Sequence, residues 1–301
     1  MRTGRRLGGH AHAAMLLAVT ALTVAPAAAG DTRPRAPRPA AAPAFDIKAL
    51  EQRVRGPDPA EVLAALAEAR DAGPTAAAAA PIIEDLLRRG ATLPIMKAAL
   101  EALRALAQPS SSPAIRPYIQ HRDPDIRREA ARALTETRGP DATAALRAAL
   151  RSNDGMLRGL AAAGLGTVGA LEALPDLFLA LDRDIPEAAT SIGQLCDPKS
   201  CRRLLDRMGT IDFAVMTSAL DGILLRPPSR PQPHSEPPLP EDLLLDVVRR
   251  VRDLATPEAG RYLADIAARW PASASPRVKS ELDAASRAVP AAAPAAPESA
   301  P

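Results

Sequence analysis

The sequence predicts an all-α fold, a right-handed α-solenoid of about six stacked helix–turn–helix repeats. Three observations carry this. The first is composition: 67 of the 301 residues are alanine, whereas Phe, Trp and Tyr together make up only 2%. Alanine, leucine and arginine favour helix, and the β-branched and aromatic residues that strands need are sparse. So few rings exclude an immunoglobulin-type sandwich or an outer-membrane barrel, and 47% apolar content argues against chain-wide disorder. The second is recurrence. The run from Asp125 to Leu134 (DIRREAARAL) aligns with Gly155–Leu165 and more weakly with Ile185–Ile192. The closing apolar residues Leu103, Leu134, Leu165, Ile192 and Leu220 stand 31, 31, 27 and 28 residues apart. The third is punctuation. Gly139-Pro140, Gly169-Ala170 and Asp197-Pro198 fall at the same place in successive units, where glycine ends one helix or proline opens the next.

From the N-terminus, residues 1–29 read as a secretory signal peptide. Arg2, Arg5 and Arg6 give a basic start, an apolar stretch runs from Ala13 to Val24, and Ala27-Ala28-Ala29 offers a small-residue cleavage site. The stretch is short for a membrane span, so contact with a membrane is expected only if this segment stays uncleaved. No cysteine lies near the cleavage site, as a lipoprotein would need. The 38 Lys and Arg less those three arginines equal the 35 Asp and Glu, so the mature chain is neutral. The excess of positive charge therefore gives no support for nucleic-acid binding. Residues 30–44 are rich in proline and alanine and read as a disordered linker.

The repeat array is expected over 45–225. Its helices are predicted at 59–71 and 76–89, 93–107 and 113–120, 125–137 and 141–151, 155–168 and 171–181, 185–195 and 199–208, then 211–225. Asp58-Pro59-Ala60-Glu61 reads as a capping box with proline in the first turn. Residues 226–240 hold seven prolines and cannot be a repeat helix, so they are read as a proline-rich surface loop or a docking segment. Further repeat helices are predicted at 241–254, 257–270 and 276–288, within a C-terminal segment 241–288, and 289–301 reads as a disordered Ala/Pro tail.

The D-P-D-x-R-x-x-A-A-x-A-L run at 123–134 resembles the HEAT repeat, particularly the short type first named for phycobilisome lyases. Asp123 and Arg127, and one unit later Asp154 and Arg158, match its acidic and basic positions. The resemblance implies that these residues cap helices and link neighbouring turns. Pro186 departs from the pattern near the next arginine position. The likeness is clear over roughly 95–220 and points to a fold rather than an activity.

The residues that could carry chemistry have structural readings. Gly164-Leu165-Gly166-Thr167-Val168-Gly169 matches G-x-G-x-x-G, but a dinucleotide site needs a strand before it, and here the preceding residues are helical. Helix packing and a C-cap are the expected roles. Cys196 and Cys201, the only cysteines, flank a helix-to-helix turn. They read as a structural disulfide contributing about 2 kcal/mol in the chain-entropy model; the spacing is not the C-x-x-C of a redox pair, and no histidine is near for a metal site. His121 and His234 read as loop histidines. Asp123/Asp125 and Asp182/Asp184 recur with the repeat and read as caps. No catalytic, cofactor or metal set is assigned. The second helices are expected to present Arg147, Arg151, Arg202, Arg203 and Arg207, with Phe178 as a rare exposed ring, toward an acidic or extended protein segment.

The functional expectation is an exported, periplasmic or secreted, non-enzymatic scaffold that binds protein partners. A tethered structural envelope protein and a lyase-like enzyme or accessory are the alternatives.

Overall fold

The computed structural model describes residues 45–226 and 239–289. Among them are fifteen α-helices in chain order: α1 (Ile47–Arg55), α2 (Pro59–Ala72), α3 (Ala80–Arg89), α4 (Leu93–Leu106), α5 (Ser112–Ile115), α6 (Pro124–Thr137), α7 (Ala142–Ala149), α8 (Gly155–Val168), α9 (Leu174–Leu181), α10 (Glu187–Leu195), α11 (Pro198–Leu205), α12 (Phe213–Leu224), α13 (Glu241–Asp253), α14 (Pro257–Arg269) and α15 (Pro276–Ala288). Even-numbered helices form one layer and odd-numbered helices the other. After α1, the chain makes seven helix pairs among the described residues, from α2/α3 to α14/α15. The proline-rich insertion begins after α12 and ends before α13, so it interrupts a pair.

The two layers differ. From α2 to α12 each first-layer helix packs along the next, whereas neighbouring second-layer helices touch less. The repeat leucines explain the first layer. Leu103, Leu134, Leu165, Ile192 and Leu220 are all fully buried, one per helix from α4 to α12. Small residues beside them let backbones approach. A Cβ on Gly166 would stand 2.5 Å from Ser191 Oγ on α10, and one on Gly164 would overlap the Thr135 hydroxyl on α6. Gly169 follows at φ +76° as the left-handed C-cap of α8. The G-x-G-x-x-G run is thus a helix end and its packing surface. At the same point of the two preceding repeats Ala107 and Arg138 adopt φ +50° and +51°, a conformation that glycine takes without strain.

At α3 and α5 the second layer is short because its sequence is broken. Where a helix is expected over 113–120, Pro109, Pro113 and Pro117 each remove a backbone donor. The chain instead runs through 3-10 turns at Pro109–Ser111 and Arg116–Gln120 on either side of the four-residue α5. The segment Gly73–Ala79 is likewise 3-10, so α3 begins at Ala80 rather than at 76. Helix α1 was not expected from the sequence at all. Asp46 caps it by accepting from the Ala49 N–H.

Caps follow the acidic positions. Asp123 accepts from the N–H groups of Asp125 and Ile126, and Asp154 from that of Leu157. Asp58 accepts from the Ala60 N–H, but the expected capping box is incomplete: Glu61 accepts from Arg53 Nε at 2.9 Å instead. Cys196 and Cys201 form a disulfide across the turn between α10 and α11, with Sγ atoms 2.03 Å apart and both side chains buried. At the C-terminal end the buried Tyr262 of α14 donates to Asp221 of α12 at 3.0 Å, and Arg269 donates to the same carboxylate at 3.2 Å. Burial, followed by the Asp221 charge, pushes the Tyr262 hydroxyl up, so it stays protonated and donates.

Candidate protein-binding surface

The charged side chains on this molecule mostly hold repeats to one another. Asp154 shows the arrangement most fully. Besides capping α8, its carboxylate accepts from Arg128 Nε at 3.1 Å and from a terminal nitrogen of the same guanidinium at 3.2 Å, and Arg127 approaches to 3.4 Å. Burial raises the Asp154 carboxyl, but the hydrogen bonds from Arg128 and the Leu157 N–H outweigh it and hold it below the usual carboxylate range. Arg127 also donates to the carbonyls of His121 and Arg122, and Arg158, one repeat on, donates to that of Ser152. Each arginine thus ties a helix to the turn that leads into it. On the neighbouring helices the buried Glu129 lies between Arg104 (2.9 Å) and Arg132 (3.2 Å).

The predicted basic face is used in the same way. Arg147 of α7 donates to Asp176 of α9 at 2.6 Å. Arg202 of α11 donates to Asp242 of α13 at 3.0 Å, and Arg207 pairs with Asp182. The Arg207 hydrogen bond holds the Asp182 carboxyl below its ordinary value. Phe178 is not displayed: it is 2% exposed, and the Arg203 guanidinium covers its ring at 4.0 Å from the centroid. Its side of α9 faces inward because Leu177, Phe178 and Leu181 form one apolar face with Ala180. Of the six residues expected to meet a partner, Arg151 alone is an exposed cation without an ion pair or ring contact among the described residues.

A different feature was not expected from the sequence. Between α3 and α8 the second layer has three adjoining hollows. One, of about 420 Å³, lies between α3 and α5, lined by residues that include Leu87, Pro113, Pro117 and Tyr118. The next, of about 350 Å³, lies between the broken helix and α7 and shares Pro113 and Pro117 with the first. The third, of about 200 Å³, shares Ile119, Gln120 and Ala148 with the second and includes Arg151 and Leu157. The prolines that break the helix were the available signal.

The residues weighed for chemistry take structural places. The Nδ1 atom of His121 accepts from the Asp123 N–H at 3.1 Å within the turn. His234 lies outside the described residues, as do the expected signal peptide, the whole linker, most of the proline-rich loop and the tail beyond Val289. Asp125 pairs with Arg128, and Asp184 takes the left-handed conformation at the end of its turn. Among the described residues no group of three or more His, Cys, Asp or Glu could hold a metal ion, and no helix is long and apolar enough to cross a membrane.

A family model described as HEAT repeats matches residues 80–166. No curated protein matches the chain in sequence. Among solved structures the chain is similar to a designed armadillo repeat protein (14% identity, 80% of this chain and 98% of that one, TM-score 0.39). It is also similar to an engineered protein (18%, 80% and 77%, TM-score 0.45) and to a chain in a homology model of the full-length AP-3 complex (12%, 80% and 50%, TM-score 0.49). Residues 80–166 thus match a model of HEAT repeats, and the described residues form an all-helical α-solenoid of stacked helix pairs.

Proposed function

We propose that this protein is an exported, non-enzymatic scaffold that holds a protein partner on its second-helix layer. The observation that carries the reading is the run of three adjoining hollows between α3 and α8. Concave, partly apolar surface is what a partner segment needs, and a stack of short helices offers it repeat after repeat. Between α2 and α6 the first layer instead carries charges paired from helix to helix, Arg70 with Glu101 and Arg104 with Glu129. Export is supported by the Arg2, Arg5 and Arg6 start followed by the apolar run and the three alanines, and by the disulfide, a bond that persists in oxidising compartments. The pairing of arginines and carboxylates between repeats supports a framework role for most charges.

Site-specific photo-cross-linking in the native host tests this. A cross-linker replacing the exposed Ala144 of α7 should capture one partner, and a cross-linker replacing Lys97 of α4, on the first layer, should not. A second change, Ala148→Trp, should abolish the capture from position 144. Equal capture from both layers, or capture indifferent to Ala148→Trp, would overturn the assignment.

A further inference from the structure

We infer that the trough on the second layer takes an acidic peptide in an extended, polyproline-like conformation. Small apolar side chains would enter successive hollows and a carboxylate would rest on Arg151. This deepens the functional reading above and rests on it.

Charge selects the occupant. Four arginines line the three hollows, Arg88, Arg116, Arg127 and Arg151, against one carboxylate, Glu84. Glu84 accepts from the buried Ser111 hydroxyl at 2.7 Å, so part of its hydrogen-bonding capacity is used. Arg88 and Arg116 pair with Asp85 and Asp141, and Arg127 is committed to two carbonyls and Asp154. Arg151 stands at the end of the trough with no carboxylate partner among the described residues. A basic segment would meet Arg151 with no carboxylate paired to it. An acidic one would gain a charge-assisted hydrogen bond at Arg151 with no internal pair to break.

Period and shape select the conformation. A polyproline helix has three residues per turn and rises about 3.1 Å per residue, so one face recurs about every 9 Å. The three hollows adjoin one another along the layer, so side chains on one face of such a peptide would enter them in turn. The ridge between the first two hollows carries Pro113 and Pro117, and the far wall carries Ala144 and Ala148. These flat or short side chains leave the peptide backbone room to cross, and the low entropy cost of ordering a polyproline segment favours that form over a flexible one.

The test is fluorescence anisotropy on the full chain, with a labelled dodecapeptide of four Glu-Pro-Ala units and its Lys-Pro-Ala counterpart. The acidic peptide should bind at least about tenfold more tightly, and Arg151→Glu should weaken it about tenfold while leaving the thermal melt unchanged. Equal binding of the two peptides, or binding indifferent to Arg151→Glu, would overturn the inference. If neither peptide binds but the cross-linker at position 144 still captures a partner, the acidic class is wrong and the docking face stands. If that capture fails too, the underlying functional reading falls with it.

Discussion

Asp154 is the sharpest test of the claim that charged residues here join repeats. Asp154→Ala removes three interactions at once. The cap to the Leu157 N–H is worth about 1 kcal/mol. The two arginine contacts lie between limits: the carboxylate side chain is only 7% exposed, but Arg127 and Arg128 are 23% and 26% exposed and keep access to water. A fully buried pair broken on one side costs about 3–5 kcal/mol and an exposed pair under about 1, so about 2 kcal/mol for both contacts is reasonable here. The total is about 3 kcal/mol. In an array of this size that lowers Tm by about 6–12 °C. Urea denaturation followed by circular dichroism measures it, with Arg147→Ala as a reference. That pair is more exposed, and its loss should cost only about 0.5 kcal/mol. A double-mutant cycle between Arg128→Ala and Asp154→Ala should give a coupling of about 1–2 kcal/mol. A loss below about 1 kcal/mol with no coupling would refute the reasoning and reduce Asp154 to an ordinary cap.

Three further outcomes are expected. Gly193→Ala should destabilise by about 3 kcal/mol in the same denaturation assay, because the new Cβ would overlap the Ala219 carbonyl where α10 and α12 meet backbone to backbone. Arg138→Gly should stabilise by about 0.5–1 kcal/mol, since it relieves the left-handed conformation at the end of α6 at some cost in unfolded-chain entropy. Acid should destabilise the protein. Asp154, Asp182 and Asp197 have folded values held below their unfolded ones, so their contribution is complete above about pH 4 and is lost as pH falls through the depressed folded values. A pH titration of Tm should show this loss, and Asp154→Asn should flatten it.

The helices of the first layer were legible because they are long and regular. The spacing of Leu103, Leu134, Leu165, Ile192 and Leu220 both located them and named their buried face. The second layer was legible in outline only. A helix was expected over 113–120 although its prolines argued against one. Helix α1 was missed although Ile47, Leu50 and Val54 are helically spaced between an Asp cap and Gly56-Pro57. The binding face was the least legible part. Sequence places Arg147, Arg202 and Arg207 on second helices, but the carboxylates that occupy them lie 25–40 residues away. No local pattern shows that pairing, because it depends on how each helix is rotated against the next. Phe178 was misread for the same reason: a one-residue difference on a short helix separates the exposed Leu179 from the buried ring beside it.

The unequal layers also have a mechanical consequence. Where α10 and α12 meet through Gly193 and Ala219, the first layer is already at backbone contact and cannot be compressed further. The second layer, interrupted between α3 and α7, has slack. Such a stack behaves as a beam with one incompressible flange. It would bend by opening or closing the gaps on the loose side, so anything wedged between α3 and α7 would set the local curvature, and a pull on the stack would change the grip.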